Sequence, residues 1–162
     1  MPVTIRPAQP SDEEALGRYG GALMRLHHQF DPQRFITTSH PERGYGRFLV
    51  SQLQDPDSVV LVAEQDGRVV GYAFAALEPM SWKELRDACG FIHDVYVDES
   101  ARGGGVGRKL VEEAIRWLAS KSAPRVVLGA AAPNLPAQRL FTRLGFRHTM
   151  VEMTLELHDA PR

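Results

Sequence analysis

Arg102-Gly103-Gly104-Gly105-Val106-Gly107, running straight into a helical pattern from Arg108 to Leu118, is the stretch whose reading decides the fold. Its glycines carry no Cβ, so the backbone N–H groups can close on an anion. A helix begins directly after them. Its first N–H groups have no intrahelical partner, and its dipole adds partial positive charge at that end, so a pyrophosphate would meet donors and field together. Arg102 and Arg108 flank the turn with full charges. Beyond it, Val106, Leu110, Val111, Ala114, Ile115 and Leu118 recur on one side of the helix. Lys109, Glu112, Glu113 and Arg116 recur on the other, which predicts one packed and one solvated face.

The residues after the glycines narrow the type of loop. A P-loop needs Lys and then Ser or Thr after its last glycine, whereas Gly107 is succeeded by Arg108, Lys109 and Leu110. A dinucleotide fingerprint needs a third glycine, but counting from Gly103 lands on Arg108 and counting from Gly105 lands on Leu110. The pattern left is Arg-x-x-Gly-x-Gly, formed by Arg102, Gly105 and Gly107. A second motif lies downstream: Asn134-x-x-Ala137-x-x-x-Phe141-x-x-x-Gly145-Phe146. Together, in this order and separated by one apolar strand, the two motifs resemble the acetyl-CoA-binding signature of the GNAT superfamily of N-acetyltransferases. The resemblance covers most of the chain from about Val59 to Phe146.

Composition agrees with one globular domain over residues 1–162. The 43% hydrophobic and 24% charged residues are ordinary values, with no repeat or low-complexity segment. A net charge of -1 lacks the basic excess that nonspecific nucleic-acid or membrane-surface binding needs. Apolar runs such as Val69 to Leu77 are far short of a membrane span, and Met1 to Arg6 lacks a signal peptide's apolar core. The single Cys89 cannot form an intrachain disulfide, so the expected compartment is the reducing cytoplasm. Adjacent His27 and His28 diverge on a helix, and no metal site is expected.

Along the chain, Val3 to Arg6 reads as a strand. Ser11-Asp12-Glu13-Glu14 reads as a capping box, with Ser11 as N-cap and Glu14 reaching back, opening a helix to about His28 in which Gly17, Gly20 and Gly21 allow bending or the approach of a ligand. A second helix is expected from Pro41 to Leu53. Ser58 to Glu64, Asp66-Gly67 and Arg68 to Leu77 read as a hairpin. Further strands are expected at Gly90 to Val97, Arg125 to Ala131, and Phe146 to about Leu157. Asn134 caps a short helix that Gly145 ends. The order β-α-α-β-β-β-α-β-α-β describes an α/β (α+β) fold, a mixed, mostly antiparallel sheet with a central βαβ unit around the glycine turn.

The resemblance implies direct transfer from acetyl-CoA to an amine acceptor in a ternary complex. It implies that Arg102, Gly103, Gly104, Gly105, Val106, Gly107 and Arg108 hold the pyrophosphate, with Asn134 also near the cofactor. It further implies that the strand Phe91 to Val97 bulges and splays from its parallel neighbour, so that the backbones of Val95, Tyr96 and Val97 bond the pantetheine arm. A protonated amine must shed a proton before it attacks, and His93 and Asp94 are the candidate bases, with a water chain as the alternative. By resemblance to the Glu-Asp-x-x-Val form of this strand, His93 stands where the base would be, and an imidazole suits that task. Regular alternation would put Asp94 on the opposite face, unless a bulge intervenes.

One position departs from the family's pattern. The usual Tyr of the second motif is Phe141, which cannot protonate a leaving thiolate; water, Tyr96 or Tyr72 are the substitutes. A coenzyme A-binding sensor without turnover is the alternative function. The insertion from Glu78 to Cys89, with Trp82, Glu84 and Asp87, is expected beside the acceptor pocket. The family's habit of pairing through C-terminal strands implies a homodimer.

Overall fold

A computed structural model of the chain describes residues 2–158. Its elements are β1 (Thr4–Pro7), α1 (Glu13–Phe30), α2 (Pro41–Ser51), β2 (Ser58–Gln65), β3 (Arg68–Glu78), β4 (Cys89–Val97), α3 (Val106–Ser120), β5 (Val126–Leu128) and α4 (Leu135–Arg143). The strands form one sheet in the order β1-β2-β3-β4-β5, antiparallel except for the parallel β4/β5 pair. The central βαβ unit is therefore β4-α3-β5, as expected.

Both faces of the sheet are covered, which is why the apolar run of β2 is continuous rather than alternating. Val59, Leu61 and Ala63 point to one side and pack with Leu110, Val111, Ala114 and Leu118 of α3. Val60 and Val62 point to the other and pack with Leu16 and Tyr19 of α1 and Leu49 of α2. Leu16, Leu49, Leu110 and Leu118 are fully buried, each stabilising the fold by about 1.5–3 kcal/mol relative to exposure.

The β2/β3 hairpin turns at Asp66 and Gly67, both with positive φ, as its Asp-Gly sequence predicts. The opening of α1 differs from expectation. Asp12 rather than Glu14 reaches back, its carboxylate accepting from the Gln9 N–H at 2.8 Å, and a short 3-10 turn at Pro10–Asp12 precedes the helix. Arg6 explains the change, because its guanidinium binds Asp12 Oδ2 at 2.9 Å and Glu64 Oε2 at 2.9 Å.

The glycines of α1 serve α2 instead of a ligand. A Cβ at Gly17 would collide with the Glu42 carbonyl, and one at Gly46 would stand 2.7 Å from the Glu13 carbonyl oxygen. At these points the two helices touch backbone to backbone.

The expected last strand is not formed. Residues 146–156 have no regular structure, and Met150, Val151, Met153, Leu155 and Leu157 are exposed. A strand exists only through its neighbour's ladder, and no described edge of this sheet pairs with the tail. The tail is tied instead by Glu152, whose Oε1 accepts from Arg34 Nη2 at 2.9 Å. β5 is also shorter than expected, at Val126–Leu128.

Candidate active site

β4 is irregular where the candidate bases stand. Phe74 pairs with Asp94 but Ala75 pairs with Ile92, so His93 is an extra residue, a β-bulge. The bulge cancels the alternation, and both His93 and Asp94 line one cavity of about 510 Å3 between α2 and the β3/β4 pair. The imidazole of His93 stacks on Phe91 (4.6 Å between ring centres) and Phe74 (5.2 Å), and its Nε2 lies 2.8 Å from Glu78 Oε1. Glu78, at the end of β3, holds this ring in place; sequence reasoning assigned it only to the insertion, because the long connection to β4 hides the register.

Asp94 is the buried member, 9% exposed. The hydroxyls of Tyr45 and Tyr72 both donate to its Oδ2, that of Tyr72 at 2.9 Å. Burial pushes the Asp94 carboxyl above its ordinary value, and the two hydroxyls pull it back without cancelling that effect. Burial, followed by the nearby Asp94 charge, pushes both tyrosines far above theirs, so they remain donors. Tyr72 is fully buried, with its hydroxyl committed to Asp94, which removes it as a substitute acid. Tyr96 stacks on Tyr19 at 5.7 Å and carries the Arg102 guanidinium at 5.4 Å from its ring centre.

Past the bulge, β4 loses its parallel neighbour. The β5 ladder pairs Gly90, Phe91 and Ile92 with Val126, Val127 and Leu128 and goes no further. Val95, Tyr96 and Val97 thus lie beyond the last parallel pair, although Arg102 Nε donates to the Val97 carbonyl at 2.9 Å. The chain then enters the glycine turn. Gly103 and Gly105 have φ of +85° and +80°, and a Cβ at either would meet nothing within 4 Å, so glycine is required there for backbone conformation rather than for packing. Gly105 is the N-cap of α3, with no side chain capping the helix. Val106 and Gly107 open that helix, and Arg108 pairs with Glu112 Oε1 at 2.8 Å.

The remaining candidates have structural partners. Asn134 Oδ1 accepts from the Ala137 N–H at 3.3 Å and caps α4. Phe141 packs into the α3-side core, edge-on to Phe146 at 5.9 Å. The insertion does not line the cavity beyond Glu78. Trp82 is 82% exposed, Glu84 binds Arg86, and Asp87 accepts from the Ala88 N–H. Cys89 is buried, with its sulfur 3.0 Å from Arg86 Nη1. Among the described residues no helix is long and apolar enough to cross a membrane.

A short parallel pair that ends at Ile92, a glycine-lined helix start and a polar cavity across one bulged strand define the class. The family model of the acetyltransferase (GNAT) family matches residues 22–146, and the chain belongs to that family. It is 31% identical over 160 residues to a mycothiol acetyltransferase from Thermomonospora curvata, covering 93% of this chain and 46% of that protein. Against the glucosamine 6-phosphate N-acetyltransferase of Trypanosoma brucei brucei it is 35% identical over 98 residues, 60% of this chain and 64% of that one. Among solved structures, a mutant of the BH1408 protein from Bacillus halodurans superposes with a TM-score of 0.83 at 26% identity, covering 96% and 99% of the two chains. The chain spans less than half the length of the mycothiol acetyltransferases it matches.

Proposed function

We propose that the chain is an acetyl-CoA-dependent N-acetyltransferase, acting on a primary amine of a small molecule or protein by direct attack in a ternary complex. The observation that carries this reading is that one strand, β4, serves two sites. Its edge toward β5 is open after Ile92 and leads into the glycine turn, while the bulge at His93 opens one face onto the cavity. In this reading Arg102 to Arg108 take the pyrophosphate, Val95 to Val97 take the pantetheine arm, and the acceptor enters the cavity.

His93 is the base, with Glu78 as its positioning partner. The amine nitrogen forms a bond to the thioester carbonyl carbon, and its proton passes to the imidazole. The C–S bond breaks, and the departing thiolate takes a proton from water, since Phe141 has none to give. A backbone N–H of β4 stabilises the developing oxyanion. Release of free thiol from acetyl-CoA and an amine panel, followed for wild type and His93→Ala, tests the assignment. A fall in kcat of about 10²-fold or more supports His93, and an unchanged rate removes it. The absence of a hydroxyl at Phe141 motivates a second reading, a coenzyme A sensor without turnover, and steady acetylation of any amine dismisses it.

The exposed apolar residues of the tail favour a homodimer, in which residues 150–157 find in a second copy the strand partner they lack. Sedimentation of a monomer at micromolar concentration would remove this. The lone buried cysteine favours the cytoplasm as the site of action.

A further inference from the structure

We propose that the acceptor carries a second cationic group besides the amine that reacts, and that the cavity selects for it. The inference rests on the N-acetyltransferase reading. Asp55, Glu78 and Asp94 all line the cavity, and among the described residues no lysine or arginine does. Its one basic group, His93, is already bound to Glu78.

Asp94 supplies an independent sign of a ligand. Both tyrosine hydroxyls converge on its Oδ2, and Oδ1 accepts from no described residue. Asp94 lines the cavity, and no buried side-chain oxygen or nitrogen among the described residues lacks a partner, so Oδ1 keeps solvent access. A carboxylate only 9% exposed thus retains one oxygen without a protein partner. The apolar lining adds to this. Phe48, 43% exposed, meets Phe74 edge-on at 5.8 Å, and ring faces beside carboxylates form a receptor for cations.

The second cation belongs at Asp55. That residue lies on the turn before β2 and lines the same cavity as His93 and Asp94, so an amine at the bulge and a cation at Asp55 would share one cavity. The local field draws cations in and repels anions. A phosphorylated or carboxylated acceptor would meet three carboxylates and no guanidinium or ammonium to offset them.

Three acceptors of one length separate the cases: 1,5-diaminopentane, pentylamine and 5-aminopentanoate. Each is titrated into the protein calorimetrically without acetyl-CoA, then assayed for turnover with it. The expected order of affinity and of kcat/KM is diamine, monoamine, amino acid, with a first step of about fivefold that shrinks in high salt. Asp55→Asn, which keeps an oxygen for the Asp57 N–H and whose amide can donate to the Ser58 hydroxyl in place of accepting from it, should narrow the ratio of diamine to monoamine. Equal binding of diamine and monoamine, or an unaltered ratio in Asp55→Asn, overturns the inference even if all three are acetylated. Failure of acetyl-CoA itself to bind overturns the acetyltransferase reading, and the acceptor titrations still decide the cavity's preference.

Discussion

The ring of Tyr45 lies in the space that a side chain at Gly20 would fill. The consequence reaches the site, because the same tyrosine donates its hydroxyl to Asp94. A glycine in the middle of α1 thereby sets where a carboxylate of β4 finds its partner.

Helix propensity alone predicts that Gly17→Ala and Gly20→Ala stabilise α1, by roughly 1 kcal/mol each. The packing predicts the reverse. Gly17→Ala meets a backbone carbonyl that cannot swing away, and overpacking of this kind costs about 1–3 kcal/mol in urea denaturation. Gly20→Ala displaces Tyr45, so it should also alter acceptor KM. A more stable Gly17→Ala would refute the close contact of α1 with α2.

The two buried aspartates should respond to pH in opposite senses. Arg6 holds the Asp12 carboxyl below its ordinary value, with burial opposing. Its contribution is present above the unfolded value of 3.8 and is lost as pH falls through the lower folded value. Burial pushes Asp94 up, so between 3.8 and its higher folded value the folded state binds the extra proton, and stability falls as pH rises. Wild-type stability measured against Asp12→Asn should therefore improve on going from acid to neutral pH, and against Asp94→Asn should worsen. Differences of like sign would contradict these environments.

Neighbouring glycines of the turn should separate into two kinds. Gly105→Ala forces a side chain into positive φ and should cost about 1–2 kcal/mol of stability, whereas Gly104, with no positive φ, should tolerate alanine in the free protein. If the turn closes on the pyrophosphate, Gly104→Ala still weakens acetyl-CoA binding measured by calorimetry. Equal affinity for Gly104→Ala, Gly105→Val and wild type would leave the turn without its proposed ligand.

Glu78→Gln keeps the shape of its side chain but removes the charge facing His93. As a positioning change it should lower kcat by about tenfold and leave acetyl-CoA affinity intact. A loss in KM for acetyl-CoA with kcat preserved would place Glu78 elsewhere in the reaction.

The local features of this protein were legible in its residues. The alternating and continuous apolar runs gave β2, β3 and β4, Asp66-Gly67 gave the β2/β3 hairpin, and the amphipathic spacing from Val106 to Leu118 gave α3. Each of these depends on neighbours within one or two turns of chain, so spacing and residue type carry them. Gly103 and Gly105 read in the sequence as leaving the backbone free to close on an anion, and their positive φ came only with the structure. Only the tertiary structure decided which way the site faces. One extra residue at His93 turns Asp94 onto the same cavity, and Glu78 reaches His93 across a register that the 78–89 insertion conceals. The α1 glycines, read as sites for bending or for the approach of a ligand, proved to be room for α2. The apolar pattern of the tail formed no strand, since strand pairing needs a partner edge that pattern alone cannot supply.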